Sequence, residues 1–87
     1  MHHKILIGAV IKRNRLIHKI SQAELAERSS LSQITISKCE RNISEPSFET
    51  IIKLSQAFKM NVSEFVSEIE ESVRLTSNLD EPMAHYP

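Results

Sequence analysis

The sequence predicts an all-α domain of five helices, on three observations. A single glycine and three prolines, two of them in the last six residues, leave little material for hairpin turns. No segment alternates apolar and polar residues cleanly at period two. Apolar residues instead recur at helical spacing, in runs preceded by serine or asparagine. Eighty-seven residues make one small domain. At this size roughly 60% of the unfolded surface is buried on folding, which leaves no room for a large enzyme cleft.

Each helix has a local signal. Ile7, Val10, Ile11 and Leu16 carry the apolar side of a first helix ending near His18. Ser21 starts a second, QAELAERS, because its hydroxyl can accept from the backbone while Glu24 reaches back, the capping-box spacing. Ser32 caps a third that ends near Arg41. Pro46 marks a boundary, and Ser47 caps a fourth helix with apolar positions Phe48, Ile51, Leu54 and Phe58. Asn61 and Glu64 repeat the capping-box pattern before a fifth helix, carried toward Arg74 by Val62, Phe65, Val66, Ile69 and Val73. The domain is thus expected over residues 1–74. Residues 75–87 (LTSNLDEPMAHYP) have no periodicity and two prolines, and read as a mobile tail.

The zero net charge conceals an asymmetry. Up to Arg41 eight Lys and Arg face three acids, a net of +5, whereas from Asn42 onward three face eight, a net of −5. Such a split suggests that one end meets an anionic partner and the other stays off it. Cys39 is the only cysteine, so no internal disulfide forms and a reducing cytosol fits. There is no apolar run long enough to span a bilayer and no signal-peptide core. His2, His3, His18 and His85 are dispersed without metal-ligand spacing, so neither a metal nor a cofactor is expected. One glycine makes no phosphate-binding loop, and catalysis is not expected. Cys39 falls on a core face, where a thiol behaves as a small hydrophobe.

The informative stretch is SQAELAERSSLSQITISKCERN, from Ser21 to Asn42. Two short helices joined by a tight turn, the first packed through Ala26 and the second polar outward, have the form of a helix-turn-helix reader. At about 100° per residue Ile36, Cys39 and Glu40 share one face of the third helix, while Ile34, Lys38 and Arg41 share the opposite one. A bulky apolar residue therefore points away from the core, between two cations.

From about Ile7 to Phe65 the chain resembles the Cro/repressor-type (XRE-like) helix-turn-helix family. The likeness rests on the IG of the first helix, Arg15, QAELA, the IS followed by Glu40, PSFET and the closing VSEF. It implies a lambda-repressor-like domain with its helix-turn-helix at 21–41. It also implies roles by position: Gln33, Ile34, Ser37 and Lys38 reading bases, and Gln22, Thr35 and Arg41 holding phosphates. Arg15 and Glu40 would form an internal ion pair. An amide can pair with adenine, an aliphatic side chain can meet the thymine methyl, and a lysine prefers guanine acceptors. Where the family has glycine, after the first helix and in the inter-helix turn, this chain has Lys19 and Ser30.

The reading that follows is a sequence-specific, double-stranded-DNA-binding transcriptional regulator, a repressor acting as a homodimer on an inverted-repeat operator, in a bacterial or phage-derived cytoplasm. Val62, Phe65, Val66 and Ile69 are too many apolar residues for one small core, so a dimerisation helix is expected at 61–74. The alternative is a protein-binding module, such as an antitoxin or antirepressor partner gripping a second protein through its C-terminal region, for which DNA binding is secondary.

Overall fold

The computed structural model describes residues 7–80, with side chains to Arg74. Five helices follow in order: α1 (Ile7–Ile17), α2 (Gln22–Ser29), α3 (Gln33–Glu40), α4 (Phe48–Ala57) and α5 (Val62–Asp80). Their apolar faces meet in one core, where Val10, Ile11, Leu25, Leu54 and Phe65 are fully buried and Ile36 nearly so.

Every interior helix start is tied by a side chain three residues away. Ser21 Oγ accepts from Glu24 N at 3.0 Å, and Ser21 N donates back to Glu24 Oε1 at 3.4 Å. Ser32 Oγ accepts from Thr35 N at 3.0 Å and Ser47 Oγ from Thr50 N at 3.1 Å. Asn61 N donates to Glu64 Oε1 at 2.8 Å. Each cap satisfies a backbone donor that the helix itself cannot, worth about 1 kcal/mol.

The helix ends share a second device. Lys19, Ser30, Asn42 and Lys59 all have φ between 57° and 59°. After each, an amide returns to a carbonyl five residues back: Ile20 to Arg15, Leu31 to Ala26, Ile43 to Lys38, and Met60 to Ser55, at 2.9 to 3.2 Å. This is the left-handed helix stop that glycine usually occupies. Lys19 and Ser30 therefore keep the turn geometry and bear its steric cost.

Gly8 has a different purpose. A Cβ there would collide with the carbonyl oxygens of Cys39 and Glu40, so α1 crosses α3 at backbone contact. The amide of Gly8, in the first turn of α1, donates to Asn42 Oδ1 at 3.0 Å, which ties the start of α1 to the end of α3. On the other side of α1, buried Asn14 donates to Val10 O at 3.0 Å and to Glu68 Oε1 of α5 at 2.8 Å. Glu68 also takes Arg13 Nη2 at 3.1 Å. His18 stacks on Phe58, with centroids 5.6 Å apart, and closes α1 onto the end of α4.

Four expectations need correction. Leu16 is 56% exposed. It lies nine residues past Ile7, about 180° around the helix from the core. Phe48 is 68% exposed because it sits about 90° from the centre of the buried arc of Ile51, Leu54 and Phe58. The fifth helix runs to Asp80, six residues past Arg74, since no glycine or proline interrupts it before Pro82. The rest of the expected tail, residues 81–87, lies outside the described residues. Finally, Phe65 is fully buried within the single chain, its ring centroid 5.8 Å from that of Phe58, and so leaves the expected dimer surface.

Relieving a left-handed residue should stabilise the fold. Ser30→Gly should raise unfolding free energy by about 1 kcal/mol in urea titrations. Asn42→Gly should instead lower it by about 1 kcal/mol, because asparagine tolerates the conformation and its carbonyl is lost to Gly8. Equal effects from the two would refute the distinction.

Candidate nucleic-acid interface

Helix α3 is held from beneath and open above. Ile36 and Cys39 anchor it in the core at 1% and 2% exposure, while Gln33, Ile34, Lys38 and Arg41 are exposed and Ser37 is half-buried. Ile34 is 67% exposed, as free as a charged surface side chain. Neither Lys38 nor Arg41 has an ion-pair partner among the described residues. Thr35 is half-buried, and its hydroxyl lies 2.8 Å from that of Ser32, so it is shared with the cap of α3.

The angle of this helix is set by one buried cluster. Arg15 Nε meets Glu40 Oε2 at 2.7 Å and Arg15 Nη2 meets Glu40 Oε1 at 3.1 Å, a two-point contact between a planar guanidinium and a carboxylate. The side chains are 12% and 3% exposed. Arg15 Nη1 also donates to Ile20 O at 3.0 Å, and Gln22 Nε2 donates to Glu40 Oε1 at 3.0 Å. The end of α1, the turn behind it, the start of α2 and the end of α3 are thus locked together through one carboxylate. The hydrogen bonds that Arg15 donates to Glu40, opposed by burial, hold the pKa of the Arg15 guanidinium above its ordinary value. Its stabilising contribution is complete below the unfolded value and is lost only as strong alkali deprotonates it.

Gln22 is therefore part of the cluster that holds α3. One amide hydrogen is committed to Glu40, which leaves the second for another acceptor. The bond from Gln22 to Glu40 and the Asn42–Gly8 tie have no signal in the sequence. They join residues 18 and 34 positions apart. Cys39 is a buried free thiol, and burial pushes its pKa up. Thiolate chemistry is suppressed there. No group of three potential metal-ligating side chains exists among the described residues. No helix among them is long and apolar enough to cross a membrane.

A family model described as helix-turn-helix matches residues 11–65. The chain belongs to the helix-turn-helix family. This XRE-type family consists of DNA-binding transcription regulators, and the matched region takes in all of α2, the turn and α3. Among solved structures, the helix-turn-helix chain is similar to the clp gene regulator ClgR of Corynebacterium glutamicum. One ClgR crystal structure aligns at 25% identity and a TM-score of 0.80, over 93% of this chain and 86% of that one. A second aligns at 26% and 0.70, over 83% and 94%. A mutant of the restriction-modification controller protein C.Esp1396I aligns at 21% identity and a TM-score of 0.70, over 99% of this chain and 100% of that one, a likeness of fold. No curated protein sequence matches the chain.

The Arg15–Glu40 contact makes an energetic prediction. Arg15→Met leaves a carboxylate buried without its cation and should cost about 3–5 kcal/mol in chemical unfolding. Arg15→Met combined with Glu40→Leu should recover most of that loss. Additive losses in the double variant would show that the two residues act separately.

Proposed function

We propose that this regulator binds an inverted-repeat operator as a homodimer and represses transcription from it. The observation that carries the reading is the outward face of α3. A short rigid helix offers an amide, an aliphatic side chain, a hydroxyl and an ammonium in sequence, braced from behind by Glu40. Laid in a major groove, it would read bases with Gln33, Ile34, Ser37 and Lys38. Ile34 gains by meeting the one apolar feature of the groove, the thymine methyl, and Lys38 by meeting guanine O6 and N7.

Phosphates would be held at the flanks. The second amide hydrogen of Gln22 and the backbone amides at the start of α2 form an anion seat, which the helix dipole favours. Arg41 supplies a cation at the other end of α3, without an ion-pair partner among the described residues. Thr35 contributes its hydroxyl hydrogen when Ser32 acts as donor in their shared bond. The acidic second half of the chain, rich in Glu64, Glu68, Glu70 and Glu71, turns the basic half toward the duplex.

The dimer surface is redrawn without Phe65. Val62 and Ile69 pack partly against the core, and Val66 is 43% exposed. Beside it Ile7, Pro46, Phe48, Ile51 and Ile69 line an apolar groove of about 230 Å³. A second copy presenting the same Phe48–Val66 patch would fill that groove and place two α3 helices for half-sites about 34 Å apart. Repression then follows where the bound dimer covers a promoter.

Selection from random duplexes tests the reading. It should yield an inverted repeat with half-site centres about 10 base pairs apart. Ile34→Ala should relax preference at a thymine position, and Lys38→Ala should cost about 1–3 kcal/mol at a guanine. Log affinity should fall with log salt with slope about −0.9 per phosphate neutralised. Phe48→Ser should give monomers in sedimentation and weaken operator binding. Selected pools without a shared motif, or a Phe48→Ser dimer, would refute the corresponding half of the proposal.

A further inference from the structure

The side of α1 turned furthest from the core is apolar where solvent should favour polar residues. Ala9 is exposed, Leu16 is 56% exposed and Ile17 is 66% exposed. With the stems of Lys12 and Arg13 they line an open groove of about 480 Å³ that runs along this single helix. Ala9, Arg13 and Ile17 form one ridge at four-residue spacing, and Lys12 and Leu16 form the next. A furrow between two such ridges is the shape into which the side-chain ridge of another helix packs.

Charge narrows the occupant further. Every ionised side chain of α1 is basic, and no acid lies anywhere in IGAVIKRNRLI. Lys12 and Arg13 border the furrow, and Arg13 already takes a carboxylate, that of Glu68, on its α5 side at 3.1 Å. We infer that this face of α1 docks an acidic amphipathic helix of another protein, whose aliphatic ridge covers Leu16 and Ile17 while its carboxylates meet Lys12 and Arg13. The α5 helix of a second copy suits the site poorly. Its apolar residues Phe65, Val62 and Ile69 pack into their own chain, its exposed Val66 lines the groove beside Phe48 already assigned to the proposed dimer, and Ser63, Glu64, Ser67 and Glu71 are polar. Duplex DNA suits it no better, since phosphates return nothing for dehydrating Leu16 and Ile17. The furrow also lies on a different side of α1 from Gly8 and Arg15, which meet α3. Partner and duplex can therefore be held together.

The test uses the full chain and a labelled synthetic helix of about 18 residues. Leucines form one ridge of this probe, with glutamates on both flanks. The control has lysines in place of the glutamates. Fluorescence anisotropy should give binding of the glutamate peptide at least about tenfold tighter than the lysine peptide, weakening as salt rises from ~50 to ~200 mM. Leu16→Ser with Ile17→Ser should weaken it about tenfold or more, and Lys12→Glu should reverse the preference between peptides. Thermal melting of each variant reports folding, and affinity for the selected duplex should be unchanged. Equal affinity for the two peptides, no binding, or indifference to the Leu16 and Ile17 substitutions would overturn the inference. Concentration-dependent self-association abolished by Leu16→Ser with Ile17→Ser would overturn it in favour of a second copy.

Discussion

Arg15 and Glu40 meet at the point where three helices converge, and the geometry of the outward face depends on that meeting. A helix of eight residues has little intrinsic stability, so its direction must be imposed by what lies behind it. Here a planar, two-point contact imposes direction as well as proximity, which apolar packing of Ile36 and Cys39 alone would do less strictly. Gln22 brings the start of α2 to the same carboxylate. A contact made at the start of α2 is thereby mechanically linked to the placement of Gln33, Ile34 and Lys38.

Around this centre the fold shows a tension between stability and sequence. The core is small, and four helix ends use non-glycine residues in a left-handed conformation that disfavours them. Asn42 recovers part of the cost through its bond to Gly8, and this bond holds the far end of α3. Among the described residues, the side chains of Lys19, Ser30 and Lys59 make no comparable hydrogen bond. Compensation elsewhere is local and repeated: serine or asparagine at each interior helix start, and Asn14 and Glu68 between α1 and α5.

What the sequence discloses follows the range of the interactions. Caps act over three residues, so Ser21, Ser32, Ser47 and Asn61 announce their helices directly. The outward placement of Ile34 follows from helical periodicity within α3. Leu16 and Phe48 mislead because periodicity reveals which residues are apolar but not what covers them. Phe65 misleads for the converse reason: an excess of apolar residues on α5 suggests a partner, although the chain's own core takes the largest of them. Arg15 and Glu40 are 25 residues apart, and only the family resemblance points to their pairing. Gln22 with Glu40 and Asn42 with Gly8 have no local signature, because each bond exists only once the helices have crossed.

The outward face of α3, held by the Arg15–Glu40–Gln22 cluster, is proposed as the surface that meets duplex DNA. Amide chemical shifts followed during titration with a selected duplex test it most directly. The largest changes should fall from Gln33 to Arg41 and at Gln22, with α5 nearly silent. Changes concentrated on α5 or the outer side of α1, with Ile34 and Lys38 unmoved, would contradict it.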